Sequence, residues 1–596
     1  MSTSPLPTIP WQFTGNHWLA LPCIHPADGS LHALGVLHRG ARAAVEFAGS
    51  ADFLDGQGPP LVQPVVSVDG VRRELSAEGI AWERAYGWLP TFACTIDDLV
   101  VRGTIFAPYG RDADMAGAVY ALSVENRGRA ARTVACSVEG TLGHRQLRVR
   151  TPRPFDDAHL ITAGRDGVLV LEGAAVNGPV AVAIAADGDA HVETTGGATP
   201  AFAVRREAVV EPDQRADFAF YIAAGPEHDG AEAAAGALRR RGWRPMLGAT
   251  RDALVALEQS TGNETLDRLV NRNLMFAYFY GVGRALDDAH FYLARSRAPW
   301  NGRGLTCRDW DALMWTIPAV QLGDPSLARE LLLRVCELHG YAPGRGVHYL
   351  DGTLFEPGFS LEGAAAYALA IDRYIRETGD DQLVDEPAIA DALYLSSDDI
   401  ATRRDRRYPL YSTEVDPSGQ PTAFPYTLHG NAAVALALDV LRRTLDEETS
   451  KEVEDPEAVR AALRRHFTVD RGGKPFFAAS ASLDGETAAA DSPVASALWL
   501  PMYDTVTRDD STYRRTVREI PTQPELLVRQ LARLIGPDAA SVLHWLRPPA
   551  RSRARTACRP GSAPPAPARN RAARTRAAAA RGPAAGRPAA RRGWST

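Results

Sequence analysis

Four stretches in the second half of the chain gather carboxylates, guanidinium groups and aromatic rings into short loops. The first, Trp300-Asn-Gly-Arg-Gly-Leu-Thr-Cys-Arg308-Asp309-Trp310-Asp311, leads into a helical pattern. Carboxylates accept hydrogen bonds from sugar hydroxyls, and an indole covers a pyranose face. Trp300, Arg308, Asp309, Trp310 and Asp311 are therefore candidate substrate-binding residues. The plainer reading makes Asp309 a helix cap and Trp310 a core residue. The second stretch runs from His348-Tyr349 through Asp351-Gly352 and Phe355-Glu356-Pro357-Gly358-Phe359 to Glu362. Glu356, held before a proline and between aromatics, is the better site candidate. Asp351-Gly352 reads as a turn, and Glu362 also suits the positive end of the helix that follows.

The third stretch carries Glu414 and Asp416 ahead of Pro417-Ser-Gly-Gln420, then Tyr426 and Asn431. Asp416 can close a simple Asx turn. For glycosidic cleavage Glu414 and Asp416 instead supply one member of an acid/base pair. Inverting hydrolysis sets its two carboxyl groups about 6.5–9.5 Å apart, so the partner comes from a loop distant in sequence. Tyr426 and Asn431 join the candidate binding residues. The fourth stretch, Asp484-Gly-Glu486 to Asp491-Ser-Pro493 before Trp499 and Tyr503, reads equally well as a cleft wall or a surface loop.

These loops need elements to hold them. Apolar residues alternate in Ala118, Tyr120, Leu122, Val124, in Val134, Cys136, Val138 and in Phe218, Phe220, Ile222. Turn pairs such as Asp69-Gly70, Asp166-Gly167 and Asp187-Gly188 fall between them. Residues 1–225 thus predict a large antiparallel β-sandwich. Residues 226–262 read as a helical linker. From 263 the period becomes helical. Asp324 caps a helix from Pro325 whose stripe is Leu327, Leu331, Val335 and Leu338. Ser360 caps another from Leu361 that ends at Gly379. About ten such segments over 263–548 predict an (α/α)6-type toroid that falls about two helices short. After Leu546 the chain contains no Leu, Ile, Val or Phe, and an Arg/Ala/Pro tail over 549–596 cannot bury a core. It reads either as a basic tail or, the reading its composition favours, as a frameshifted end.

Composition narrows the function. Of 596 residues, 45% are hydrophobic and 23% charged, and the net charge is −6. Twelve arginines and no acids follow position 550, which leaves 54 basic against 72 acidic residues in the body. So acidic a body argues against nucleic acid as partner. No apolar run is long enough for a membrane span, and the start lacks a secretory pattern, so a cytoplasmic protein is expected. Six scattered cysteines without a CxxC pair read as buried thiols. No motif for a metal, nucleotide or dinucleotide is present, so no cofactor and no metal site is expected.

The order Arg308-Asp309, Phe355-Glu356, Leu361-Glu362, Tyr374, Thr378-Gly379-Asp380, Pro417-Ser418, Tyr426, Asn431, Ser492-Pro493 and Leu500-Pro501 resembles the metal-independent exo-α-mannosidases. More loosely it resembles the glycogen-debranching-type enzymes of the six-hairpin glycosidase superfamily. The resemblance spans about 300 to 520 and rests on order and spacing, with no single decisive motif. It implies an inverting exo-α-glycosidase that acts on mannosides or glucans without metal. It also exposes two losses. Gly419 and Gln420 stand where the family has aspartates, one of them the general acid, and the family's basic glutamate near the C-terminus has no counterpart here. Two other readings remain: a non-catalytic carbohydrate-binding protein, and a glycoside phosphorylase with Arg303 and Arg308 near the phosphate.

Overall fold

The structure, a computed structural model, describes residues 9–520 apart from 76–78, 149–151, 155–158, 174–179, 198, 302–303 and 490–496. Arg303, Asp491, Ser492-Pro493, the helical stretches 523–535 and 537–546 and the tail 549–596 lie outside the described residues.

The first part is antiparallel β throughout. An eight-stranded sheet has the strands Gly117–Asn126 and Arg215–Gly225 near its middle, flanked by Leu99–Phe106 and Ala181–Ala186. A six-stranded sheet begins at Gln12–Gly15, and a five-stranded sheet is centred on Arg132–Thr141. In the eight-stranded sheet Ala118, Tyr120 and Leu122 face Ile222, Phe220 and Phe218 across the strand pair. Together with Val66, Val134, Cys136 and Leu34 of the other sheets these side chains form one core. The odd-numbered partners, Val119 opposite Tyr221 and Ala121 opposite Ala219, belong to a different core. The alternation visible in the sequence is therefore real, but its intervening residues are apolar too, because the sheet is covered on both faces. At Asp69-Gly70 the chain turns with φ of 50° and 80°, the left-handed pair that a two-residue hairpin requires.

The segment expected as a linker is two helices that cover the sheet. His228–Arg241 buries Ala231, Ala235 and Leu238 and packs on Ala181–Ala186 and Arg215–Gly225. Gly242, at φ 77°, breaks the helix before Trp243–Leu257 begins. The second core continues without interruption from Val119 and Tyr221 through Leu238 and Leu254 into Phe276, Phe279 and Trp315. All described residues accordingly belong to one compact unit.

The helical part alternates inner and outer helices. Leu361–Thr378 and Leu428–Thr444 are buried on nearly every face for most of their length, as an inner helix must be. Their outer partners, Pro387–Thr402 and Pro456–Phe467, bury a single stripe. Among the described residues there are four such pairs. The others join the run 309–323 with Pro325–His339, and the 3-10 turns Ala497–Tyr503 with Ser511–Glu519. The expected caps are present: Asp324 accepts from the Leu327 N–H, and Ser360 from the Gly363 N–H. The run 309–323 contains a π turn at Ala312–Thr316 immediately before Pro318. The missing N–H of that proline removes one bond of the ladder and favours such a bulge. No helix among the described residues is long and apolar enough to cross a membrane. The five described cysteines are all buried, while Cys558 lies outside the described residues.

Candidate functional site

Three inner helices start at Asp309, Leu361 and Leu428, and the loops entering the first two meet at one pocket of about 270 Å³. Arg308, Asp309 and Trp310 line it from one side, and Glu356 and Gly358 from the ribbon Arg345–His348/Leu354–Phe359. Val415, Pro417, Gly419 and Pro421 close it. The 415–421 loop is a tight turn: the Asp416 N–H donates to the Gln420 carbonyl at 2.8 Å, and Val415 bridges Pro421. Its odd-numbered residues line the pocket and the even-numbered ones do not. Gly419 has φ 78°, and a Cβ there would come 1.8 Å from the Arg308 guanidinium. Glycine is thus what lets this arginine lie against the loop. Gly344 plays the same part opposite. At φ 70° it sits where a Cβ would strike the Ser360 carbonyl at 2.4 Å, and its N–H donates to Asp309 Oδ2 at 2.8 Å.

The other sequence candidates lie elsewhere. Asp311 is absent from the pocket lining. Its carboxylate accepts from Arg295 Nε at 2.8 Å in an ion pair buried at both ends. Trp300 packs, half-buried, beside the core of Trp11, Cys23 and Phe53. Asn431 is buried, with its amide spent on the backbone of Tyr411 (2.7 and 2.9 Å) and the Thr427 carbonyl (2.9 Å). Tyr426 donates to Asp405 at 3.1 Å. Glu362 is fully buried, and its Oε1 meets His429 Nδ1 at 3.0 Å, while His429 Nε2 meets the Tyr503 hydroxyl at 3.2 Å. That relay stands behind the pocket wall, since the Trp310 ring meets the His429 ring edge-on at 5.5 Å.

The two candidate catalytic carboxylates differ in electrostatics. Glu414 accepts from Arg403 at 2.9 Å and from the Phe359 N–H at 2.9 Å, and the Arg403 hydrogen bond above all holds its carboxyl below the usual range. Asp416 is pushed the other way. Burial raises its pKa, the charge of Glu362 adds to the rise, and hydrogen bonds from Ser418 (2.7 Å) and the Gln420 N–H (2.9 Å) only partly oppose it.

Two residues that sequence reasoning did not select stand against Asp309. His339 ends its helix and His348 lies on the ribbon; both are buried, and their rings stack at 4.6 Å. Burial, then the nearby His339, lowers the His348 pKa to about 4. Nothing local in the sequence marks these two, because they meet only through tertiary packing.

No protein-family model matches the chain, and no curated protein sequence matches it. Among solved structures, a bacterial glucoamylase complexed with acarbose matches with a TM-score of 0.52 at 10% identity, over 86% of this chain and 79% of that one. A putative kojibiose phosphorylase from the human microbiome gives 0.47 at 10% identity, over 77% and 68%. A metal-independent α-mannosidase of Streptococcus pneumoniae gives 0.38 at 13% identity, over 46% and 76%. At such identity the glucoamylase likeness concerns the fold, and it agrees with a β-sheet region followed by paired helices. The chain thus shares its overall fold, a sheet-rich region followed by paired helices, with that glucoamylase.

Proposed function

We propose that the chain is a carbohydrate-active enzyme of the exo-acting α-glycoside hydrolase kind, with its substrate's terminal sugar in the pocket between Arg308, Trp310 and Glu356. The observation that carries the reading is this pocket itself. An indole, a guanidinium and a carboxylate converge on a space of about 270 Å³ at the entrances of inner helices. That volume sits just below the range of drug-sized pockets, about 300–1,000 Å³, and suits one sugar ring better than a chain. The solved glucoamylase of similar fold holds the inhibitor acarbose, which makes α-glucosides a sensible first class to test beside α-mannosides.

Of the two catalytic candidates Asp416 is the better suited as proton donor, and because its side chain does not line the pocket, the 415–421 turn has to shift for it to reach the leaving oxygen. A raised carboxyl keeps its proton nearer neutral pH, whereas Glu414, held as an anion by Arg403, lacks one to give. Glu356 contributes a carboxylate on the pocket wall that orients or deprotonates a water. Inversion, and independence of a metal in the reaction, belong to this proposal. The phosphorolytic reading keeps one supporting feature, the Arg308 guanidinium on the pocket wall, where an anion is attracted.

The test is a screen of aryl α-glycosides and α-linked oligosaccharides, with and without inorganic phosphate. Release of a single free sugar, lost in Asp416→Asn and Glu356→Gln, supports the hydrolase. A phosphate-dependent sugar phosphate supports the second reading. Binding without turnover in any condition leaves a carbohydrate-binding protein, and absence of both binding and turnover removes the carbohydrate reading altogether.

A further inference from the structure

We propose that Asp309, His339 and His348 form a binding site for one divalent transition-metal ion of the zinc class. The three side chains are buried, and each offers a ligand atom within 4.8 Å of the others. Their polar atoms are left over by the rest of the fold: Asp309 Oδ1, His339 Nδ1 and both ring nitrogens of His348 lack a hydrogen-bond partner. Buried groups of this kind are almost always paired, and one such atom from each of the three residues, all within 4.8 Å of one another, calls for a common partner. The separation also fits. His339 Nδ1 and Asp309 Oδ1 are 3.5 Å apart, longer than a hydrogen bond. Two ligands held about 2.1 Å from a tetrahedral ion are about 3.4 Å apart.

The scaffold is prepared for the ligands. Asp309 Oδ2 is held by the Gly344 N–H, which turns Oδ1 toward His339. His348 is fixed by two backbone hydrogen bonds of 2.9 Å to Cys307, and the helix Pro325–His339 delivers His339 at its last residue. The hydrogen bond from Gly344 orients the Asp309 carboxylate as supporting contacts orient a ligand, while the backbone bonds fix where His348 sits. The imidazole rings stack with 26° between their planes, so for both to point a nitrogen at one ion, one ring has to turn about its side-chain bonds. Two imidazoles and a carboxylate suit zinc, cobalt, nickel or iron and disfavour calcium and magnesium, which take oxygen ligands. The proposal does not rest on the carbohydrate reading, although Asp309 also lines the pocket, and the resemblance to metal-independent mannosidases does not suggest it.

The experiment uses the full chain, stripped with a chelator. Zn²⁺ is titrated in competition with a chromophoric chelator, and Co²⁺ is added separately for its visible absorption. One ion per chain is expected, with affinity weakened by about 100-fold or more in His339→Ala and in His348→Ala. His191→Ala, at an exposed histidine paired with Glu193, leaves it unchanged. Circular dichroism checks that the variants fold. If an alanine variant does not, His348→Gln takes its place, and the Co²⁺ bands of a four-coordinate nitrogen–oxygen site in the unaltered chain are read beside it. Failure of the unaltered chain to bind an ion stoichiometrically, or binding that survives both histidine substitutions, overturns the site.

Discussion

Replacing Asp311 by asparagine separates the structure's account of the site from the sequence's. The carboxylate and its partner Arg295 are 7% and 5% exposed, and no pocket atom touches Asp311. Removing one member of a buried pair strands the other charge and costs about 3–5 kcal/mol. Asparagine keeps an oxygen that can still accept from Arg295, so the lower end, about 3 kcal/mol, is expected. Against a typical total of about 5–15 kcal/mol this is large, and it lowers the folded-to-unfolded ratio by roughly 150-fold. Urea unfolding followed by circular dichroism and by tryptophan fluorescence measures the loss as a shift in midpoint at unchanged slope. The double variant Arg295→Met/Asp311→Leu removes both charges and returns to within about 1 kcal/mol of the starting stability. Affinity for the sugar found by the screen, measured well below the unfolding transition, stays within about twofold in Asp311→Asn. If Asp311→Asn unfolds like the unaltered chain yet loses sugar binding tenfold, Asp311 faces the ligand and the ion-pair account is wrong.

Gly419→Ala forces a side chain into a left-handed position at φ 78° and toward the Arg308 guanidinium. A loss of about 1–2 kcal/mol in urea unfolding, with weakened ligand binding at the displaced arginine, is expected. Glu414 ionises more readily folded than unfolded, so its contribution is present above the unfolded value near about 4.3. It is lost as pH falls through the depressed folded value, and Glu414→Gln flattens that acid limb of a stability profile. Because the Glu414 side chain is half exposed, the change is small. Asp416 has the opposite sign. Folded, it holds its proton to higher pH than the unfolded chain does, so stability falls as pH rises from about 3.9 through the raised folded value. Asp416→Asn abolishes that fall, and a profile that keeps it assigns the titration to another group.

Much of the scaffold was legible because its signals are local. The cap at Asp324, the stripe behind it and the stop at Gly379 each lie within a few residues of what they control. The turn glycines at 70 and 167 report the hand of the backbone directly. Segment 226–262 was harder: its helical period was plain, but the sheet it covers joins the adjacent Arg215–Gly225 to strands as far back as Gly117–Asn126, so packing looked like linkage. The site was legible in part, for a related reason. Residue type and loop membership picked out Arg308, Asp309, Trp310 and Glu356, all on the pocket wall. The same criteria picked Asp311, Trp300, Tyr426 and Asn431, whose partners are other parts of the fold. A sequence reveals that a charge sits on a loop, but the direction it faces depends on a register that tertiary contacts set. His339 and His348 escaped notice because a histidine at a helix end and another on a ribbon are unremarkable until the chain brings them together.

The central sheet has a consequence for how such a protein can change over evolutionary time. Because Gly117–Asn126 and Arg215–Gly225 give one face to each of two cores, the β region is a party wall and not an attached room. Recombination that transplanted the helical part without this wall would bare Val119, Ala121, Ala219, Tyr221 and Ala223 on one side and Phe276 and Phe279 on the other. Neither product would be soluble by itself. The two parts must then be inherited as a block, and novelty has to arise in the loops at the pocket end, where length and residue identity can drift without touching the shared masonry.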